Sequence, residues 1–191
     1  LGPLAELIDE GVRAGSSRKP GRVEGLRILY ITPLRAVSRD IELALKAPVR
    51  ELGLKITIES RTGDTSTSVR ARQRERLPNV LITTPESFSL LLTRENAAEQ
   101  LAGVRAVIVD EWHELMSGKR GTQTELGLSR LRAFAPGVRT WAMSATLGNI
   151  EDAARAAGGV GEEPVIVRGR MDRPVIIDSV LPRDLRRLPW A

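Results

Sequence analysis

Short apolar runs alternate with longer stretches of helical periodicity along most of the chain. Leu4, Ala5, Leu7, Ile8 and Val12 recur at helical spacing and predict a helix over 3–12, followed by a Gly-, Ser- and Pro-rich loop over 14–25. Residues 26–31 are a short apolar run and predict a buried strand. Val37, Ile41, Leu45, Val49 and Leu52 then predict a helix over 36–52, with Pro48 a candidate kink. Residues 54–59 alternate as a strand, and 66–77 read as a polar helix carrying Arg70, Arg72, Arg74 and Arg76. Residues 79–83 predict a strand, and Pro85 sets the entry of a helix over 86–93. Residues 105–109 and 138–143 predict strands that flank a helix over 122–134, built on Leu126, Leu128, Leu131 and Phe134. A helix over 149–157 ends at Gly158-Gly159, and 165–168 and 175–180 read as two further strands.

Strand and helix alternate five times, which predicts an α/β fold: a parallel sheet with helices on both faces. In such sheets chemistry collects at the carboxyl ends of the strands. The first run is followed by Thr32-Pro33-Leu34-Arg35, the second by Thr62-Gly63-Asp64 and the third by Thr84-Pro85-Glu86. The fourth is followed by Asp110-Glu111-Trp112-His113, and the fifth by Ser144-Ala145-Thr146.

Asp110-Glu111 is the most informative pair. A buried strand that delivers an Asp to its end can hold Mg²⁺, and the neighbouring Glu can activate a water against a phosphate. Acidic strand ends that only cap a following helix are the alternative. His113 stands two residues after Glu111, where it either packs or reports the nucleotide site to other segments. Ser144 and Thr146 are small hydroxyls suited to capping or to bonding the acidic motif. Both Thr-Pro junctions place free N–H groups at a helix start, where a phosphate can sit, and Arg35 adds a charged donor. The arginines at 70, 72, 74 and 76 spread around their helix, which favours a solvated face over the alternative of a nucleic-acid stripe.

The chain has 191 residues, enough for one domain, and no cysteine, which excludes a disulfide scaffold, a thiolate zinc site and a cysteine nucleophile. A single histidine makes a transition-metal centre an unsuitable reading. No apolar run reaches the ~20 residues of a membrane span, and no signal-peptide pattern opens the chain, so the cytoplasm is the default location. The net charge of +5 permits a polyanion partner. Arginine outnumbers lysine 25 to 4. Arg suits phosphate, although a GC-rich genome gives the same bias. Aromatics at 3% argue against a base-stacking platform. An uncapped apolar helix at the first residue, without Met, reads as an internal fragment of a longer protein.

The five polar segments, in this order, resemble motifs Ia, Ib, Ic, II and III of the first motor domain of superfamily 2 helicases. Asp110-Glu111-Trp112-His113-Glu114-Leu115, Gly118-Lys119-Arg120-Gly121 and Ser144-Ala145-Thr146-Leu147-Gly148-Asn149 resemble the large helicase-related group, most like its ligase-associated DEXH-box members. The resemblance implies a RecA-like fold and an ATP- and Mg²⁺-dependent helicase acting on nucleic acid, DNA more than RNA, in DNA repair. A DNA ligase and a nuclease would be its functional neighbours. It implies Asp110 as Mg²⁺ ligand and Glu111 as water activator, with His113, Ser144 and Thr146 coupling the nucleotide to the strand. Thr32, Pro33, Arg35, Thr62, Gly63, Asp64, Thr84, Pro85 and Glu86 would form or brace the strand groove. It divides the chain into a motor domain over 1–170 and the start of a connection over 171–191. The family's Gly-rich phosphate loop is missing, because no G-x-x-x-x-G-K-[ST] occurs here. The strand it follows is therefore also expected to be missing, leaving 138–143 paired with 105–109 on one side and bare on the other. A binding module without ATPase activity is the rival expectation.

Overall fold

Five short strands form one parallel sheet in the order β2-β3-β1-β4-β5: β1 (Ile28–Ile31), β2 (Ile58–Arg61), β3 (Val80–Thr83), β4 (Ala106–Val109) and β5 (Arg139–Ala142). The computed structural model describes residues 2–13, 23–145, 147–161 and 163–169. The three central strands carry the most continuous apolar runs, since both of their faces are covered. Leu29, Leu81 and Val107 are fully buried, and each such side chain contributes about 1.5–3 kcal/mol. Residues alternate between the faces, so Ile28, Val80, Ile82 and Ile108 enter one core while Leu29, Ile31, Val107 and Val109 enter the other.

Helices α1 (Gly2–Arg13) and α2 (Arg35–Glu51) cover the first face through Leu4, Leu7 and Val49. The second face is covered by α4 (Pro85–Leu92), α5 (Ala97–Leu101), α6 (Trp112–Met116), α7 (Lys119–Phe134) and α8 (Ile150–Gly158). Helix α3 (Thr67–Glu75) lies along the outer strand β2, where Gln73 Nε2 donates to Glu59. Gly127 lets α7 approach α4, for a Cβ there would stand 2.5 Å from the Phe88 ring. At the amino ends of the strands the buried Asn79 amide donates to Val23 O and Gly25 O, both at 2.9 Å, while its oxygen accepts from Thr57 N–H.

Most expected elements are present, and several differ. Strand β2 begins at Ile58, later than expected, because its only ladder starts where Ile58 meets Val80. Helix α2 runs through Pro48 to Glu51, since the proline falls in the last turn. Leu126 is 68% exposed, so the apolar stripe of α7 is narrower than its sequence suggests. The short helices α5 and α6 were not expected. Residues 165–168 form no strand, and Val165 and Val167 are exposed. Apolar alternation makes a strand only where a partner edge accepts it. Residues 175–180 and the connection at 171–191 lie outside the described residues. Strand β5 pairs with β4 alone among the described residues, as expected, and Trp141 within it is 47% exposed.

Candidate active site

Asp110 stands one residue past β4, where its N–H donates to Ile31 O at 2.8 Å. This places it at the β1/β4 boundary, where the strand order reverses: β3 and β2 lie to one side of β1, β4 and β5 to the other. A crevice opens at such a boundary. The Tyr30 hydroxyl donates to Asp110 Oδ2 at 2.9 Å, and the Glu111 N–H donates to Oδ1 at 3.0 Å. Burial pushes the Tyr30 phenol well above its ordinary range, and the charge and hydrogen bond of Asp110 push it further, with a smaller push from Glu111. Tyr30 therefore remains a proton-bearing donor that orients the carboxylate. One such carboxylate suits Mg²⁺, which keeps several waters and takes other ligands from substrate phosphates. No closed group of three His, Asp or Glu gathers among the described residues.

Glu111 adopts φ 48°, ψ 48°, the only left-handed non-glycine among the described residues. That conformation costs about 1–2 kcal/mol. It turns the chain sharply into α6. Neither carboxylate serves as a helix cap: Glu111 occupies the N-cap position of α6 without a side-chain bond, and Asp110 bonds its immediate neighbour. The capping alternative is thus not realised.

The ends of β4 and β5 are joined directly. Trp112 N–H donates to Met143 O at 2.9 Å, and its buried indole N–H donates to Ala153 O at 2.9 Å. His113 Nδ1 lies 3.0 Å from Ser144 Oγ and 3.4 Å from Glu111 Oε2. The expected site residues Asp110, Glu111, His113 and Ser144 therefore form one connected group. Thr146 lies outside the described residues.

The other expected residues line the carboxyl rim of β1, β2 and β3. Thr32 N–H donates to Thr83 O at 2.9 Å, and the Thr32 hydroxyl accepts from Leu34 N–H. The Thr62 hydroxyl accepts from Asp64 N–H at 3.3 Å, which closes the Thr-Gly-Asp turn. Thr84 caps α4 by accepting from Ser87 N–H, and Pro85 follows at the first helical position. Thr32, Pro33, Thr62, Thr84 and Pro85 are buried, whereas Arg35, Gly63, Asp64 and Glu86 face solvent. Arg35 Nη1 lies 3.5 Å from Asp64 Oδ1, and the guanidinium rests over Gly63, where a Cβ would stand 3.1 Å away.

Arg120, at the start of α7, crosses this rim. Its Nε donates to Glu86 Oε1 at 2.6 Å and its Nη2 donates to Pro33 O at 2.8 Å. Burial alone would raise the Glu86 carboxyl. Its own backbone N–H, the Thr84 hydroxyl and Arg120 together hold it below the ordinary carboxylate range. The sequence carries Arg120 inside a motif with no sign of this role, and it gives none of Tyr30's. Only a Tyr next to the last residue of a strand beside the Asp-Glu strand could have signalled the latter.

A parallel sheet with an acidic pair at its switch point, a hydroxyl bonded to His113 just past the next strand and a rim of Thr-Pro and Arg residues has the form of a RecA-like domain. The DEAD/DEAH box helicase model matches residues 4–153, and the chain belongs to that family. It is 36% identical over 167 residues to the ATP-dependent helicase Lhr-Core of Methanocaldococcus jannaschii, covering 82% of this chain and 20% of that protein. It is also 36% identical over 175 residues to the Lhr helicase/uracil glycosylase of Escherichia coli, covering 86% of this chain and 11% of that protein. The solved structure of the Mycobacterium smegmatis helicase Lhr bound to ssDNA and AMP-PNP superposes with a TM-score of 0.63 at 38% identity, over 69% of this chain and 18% of that one. The chain thus spans about a fifth or less of the length of these relatives.

Proposed function

We propose that this chain is the first motor domain of an ATP-dependent helicase or translocase that moves on nucleic acid, DNA more than RNA. The observation that carries the reading is the linked group Tyr30–Asp110–Glu111–His113–Ser144, which ties the strand end that handles the nucleotide to the next strand of the sheet. Mg²⁺-bound ATP, when present, supplies a phosphate bond whose cleavage releases free energy for movement. Asp110, fixed by Tyr30 and by Glu111 N–H, holds the cation. The Glu111 carboxylate, aimed by its left-handed backbone, orients and deprotonates the attacking water. His113 and Ser144 pass the state of that crevice to the end of β5, with Thr146 as a further hydroxyl in the same role.

On the rim, the buried Thr32, Pro33, Thr62, Thr84 and Pro85 fix the loops, and the exposed Arg35 and the Gly63 backbone meet strand phosphates. Asp64 and Glu86 carry the wrong charge to touch phosphate. They aim Arg35 and Arg120 instead. The contacts are to the backbone, so sequence preference is low. The named ssDNA ligand of the Mycobacterium smegmatis relative favours DNA. A role in DNA repair beside a ligase and a nuclease, and a motor domain over 1–170 joined to its second half by 171–191, belong to the same reading.

The test is strand-stimulated ATP turnover by the whole protein. Asp110→Asn should abolish turnover and weaken Mg²⁺-ATP binding. Glu111→Gln should keep ATP binding and slow hydrolysis by a hundredfold or more, as expected for loss of a general base. Turnover near wild type in Glu111→Gln removes that residue from the mechanism. A wild-type protein that binds strands without any turnover establishes the rival binding module.

A further inference from the structure

A second charged cluster stands at the outer edge of the sheet, away from the Asp110 crevice. Arg61 ends β2, Arg70 and Arg74 lie on α3, and Arg94 follows α4. The fully buried Gln73 holds two of them. Its Oε1 accepts from Arg61 Nη1 at 3.2 Å and its main-chain oxygen accepts from Arg94 Nη1 at 3.3 Å. Arg70 Nη2 donates to Thr62 O at 3.0 Å and to Gly63 O. The groups that hold these three guanidiniums are therefore neutral. Glu59, the carboxylate on β2, is taken by Arg72 at 2.8 Å and by the Gln73 amide at 2.9 Å. None of the four arginines is ion-paired among the described residues.

Two donors in this cluster, Arg70 Nε and Arg94 Nη2, are buried without an acceptor. Burial first, and then the charges of Arg94, Arg70 and Arg74, together bring the Arg61 guanidinium down to about 10. Burial and then Arg74 lower Arg94 in the same way. Like charges gathered at partial burial with no counter-charge cost free energy, and an anion offsets that cost. Guanidiniums held by neutral acceptors keep their full charge and free donors for a bidentate oxyanion.

We propose that Arg61, Arg70, Arg74 and Arg94 form a phosphate-binding patch for the backbone of a nucleic-acid strand beyond the Thr62-Gly63-Asp64 turn. The proposal rests on the nucleic-acid reading above and extends it. Continuity favours a strand as the ligand. Arg70 grips the Gly63 carbonyl and the Arg35 guanidinium rests over the same glycine, so the Thr62-Gly63-Asp64 turn links the cluster to the Thr-Pro rim. The patch reads charge and leaves bases unread.

The test is fluorescence anisotropy of the whole protein with a labelled 16-nucleotide oligothymidylate across a potassium chloride series. Arg74→Gln, at an exposed position, and Arg94→Gln should each weaken binding roughly three- to tenfold, and the salt slope should become shallower by about 0.7 per lost contact. Far-UV circular dichroism checks the fold of Arg94→Gln, and Arg74→Gln decides the matter if that variant misfolds. Arg35→Ala is the parallel probe of the rim. If Arg35→Ala weakens binding while both Gln variants bind with wild-type affinity and slope, the patch is overturned and the rim reading stands. If the wild-type protein binds no strand, both fall. If the Gln variants lose binding to polyglutamate and keep binding to oligothymidylate, the patch serves an acidic protein, and the proposal is overturned.

Discussion

Removing Arg120 tests whether the strand rim is a braced unit. In Arg120→Ala, three contacts disappear: two to the Glu86 carboxylate and one to the Pro33 carbonyl. The Arg120 and Glu86 side chains are 41% and 49% exposed, so solvent screens their attraction. A pair of that exposure contributes about 0.2–1 kcal/mol. The bond to Pro33 O adds about 0.5–1.5 kcal/mol. The expected loss at neutral pH is therefore about 1–2 kcal/mol, which lowers the urea midpoint by about 0.5–1 M for an ordinary slope near 2 kcal/mol per molar.

The pH dependence has a definite sign. The folded Glu86 carboxyl lies below its ordinary value of 4.5, so its contribution is full above that value and is lost as pH falls through the lower folded value. The gap between wild type and Arg120→Ala should shrink on acidification toward pH 3 and keep only the Pro33 part. Arg120→Lys should recover about half of the loss, because an ammonium meets one acceptor well and cannot fork between two. The assay is urea unfolding followed by circular dichroism at pH 7 and at stepwise lower pH. A gap that is absent at pH 7, or that widens on acidification, would refute the bracing role of Arg120.

Three further outcomes are expected. Gly127→Ala should destabilise by about 1–3 kcal/mol in the same unfolding assay, because its Cβ would overlap the Phe88 ring and Phe88 has no room to retreat from the core; an unchanged midpoint would show that α4 and α7 adjust freely. The 191-residue chain alone should hydrolyse no ATP above background, since it contains no Gly-rich phosphate loop; turnover abolished by Asp110→Asn would contradict this. Trp141→Lys should reduce self-association in analytical ultracentrifugation, because it places a charge on β5, whose second edge carries no strand among the described residues, beside exposed Met143; association unchanged by the substitution would locate the contact elsewhere.

The sequence determined the alternation of strands and helices, and with it the parallel sheet. The reason is local: apolar runs of four to six residues and helical spacing are written residue by residue, and each predicts its element without knowledge of its neighbours. The same holds for the acidic pair. Val107-Ile108-Val109 must be buried, so Asp110-Glu111 must emerge at the strand end. The order of polar strand ends along the chain then named the family before any distance was known.

Tertiary structure decided what those residues do to one another. Tyr30 reads as one more apolar strand position until β1 and β4 pair and set its hydroxyl 2.9 Å from Asp110. Arg120 lies 87 residues from Pro33 in sequence, and only the packing of α7 brings them within a hydrogen bond. The start of β2 was misplaced, and 165–168 was wrongly expected to be a strand, for one reason: a strand exists only where a partner offers a ladder, and that information is held in another part of the chain. Arg70, Arg72, Arg74 and Arg76 read from sequence as a solvated helix face. The meeting of Arg70 and Arg74 with Arg61 and Arg94, which buried Gln73 draws in from other elements, is a product of the fold alone.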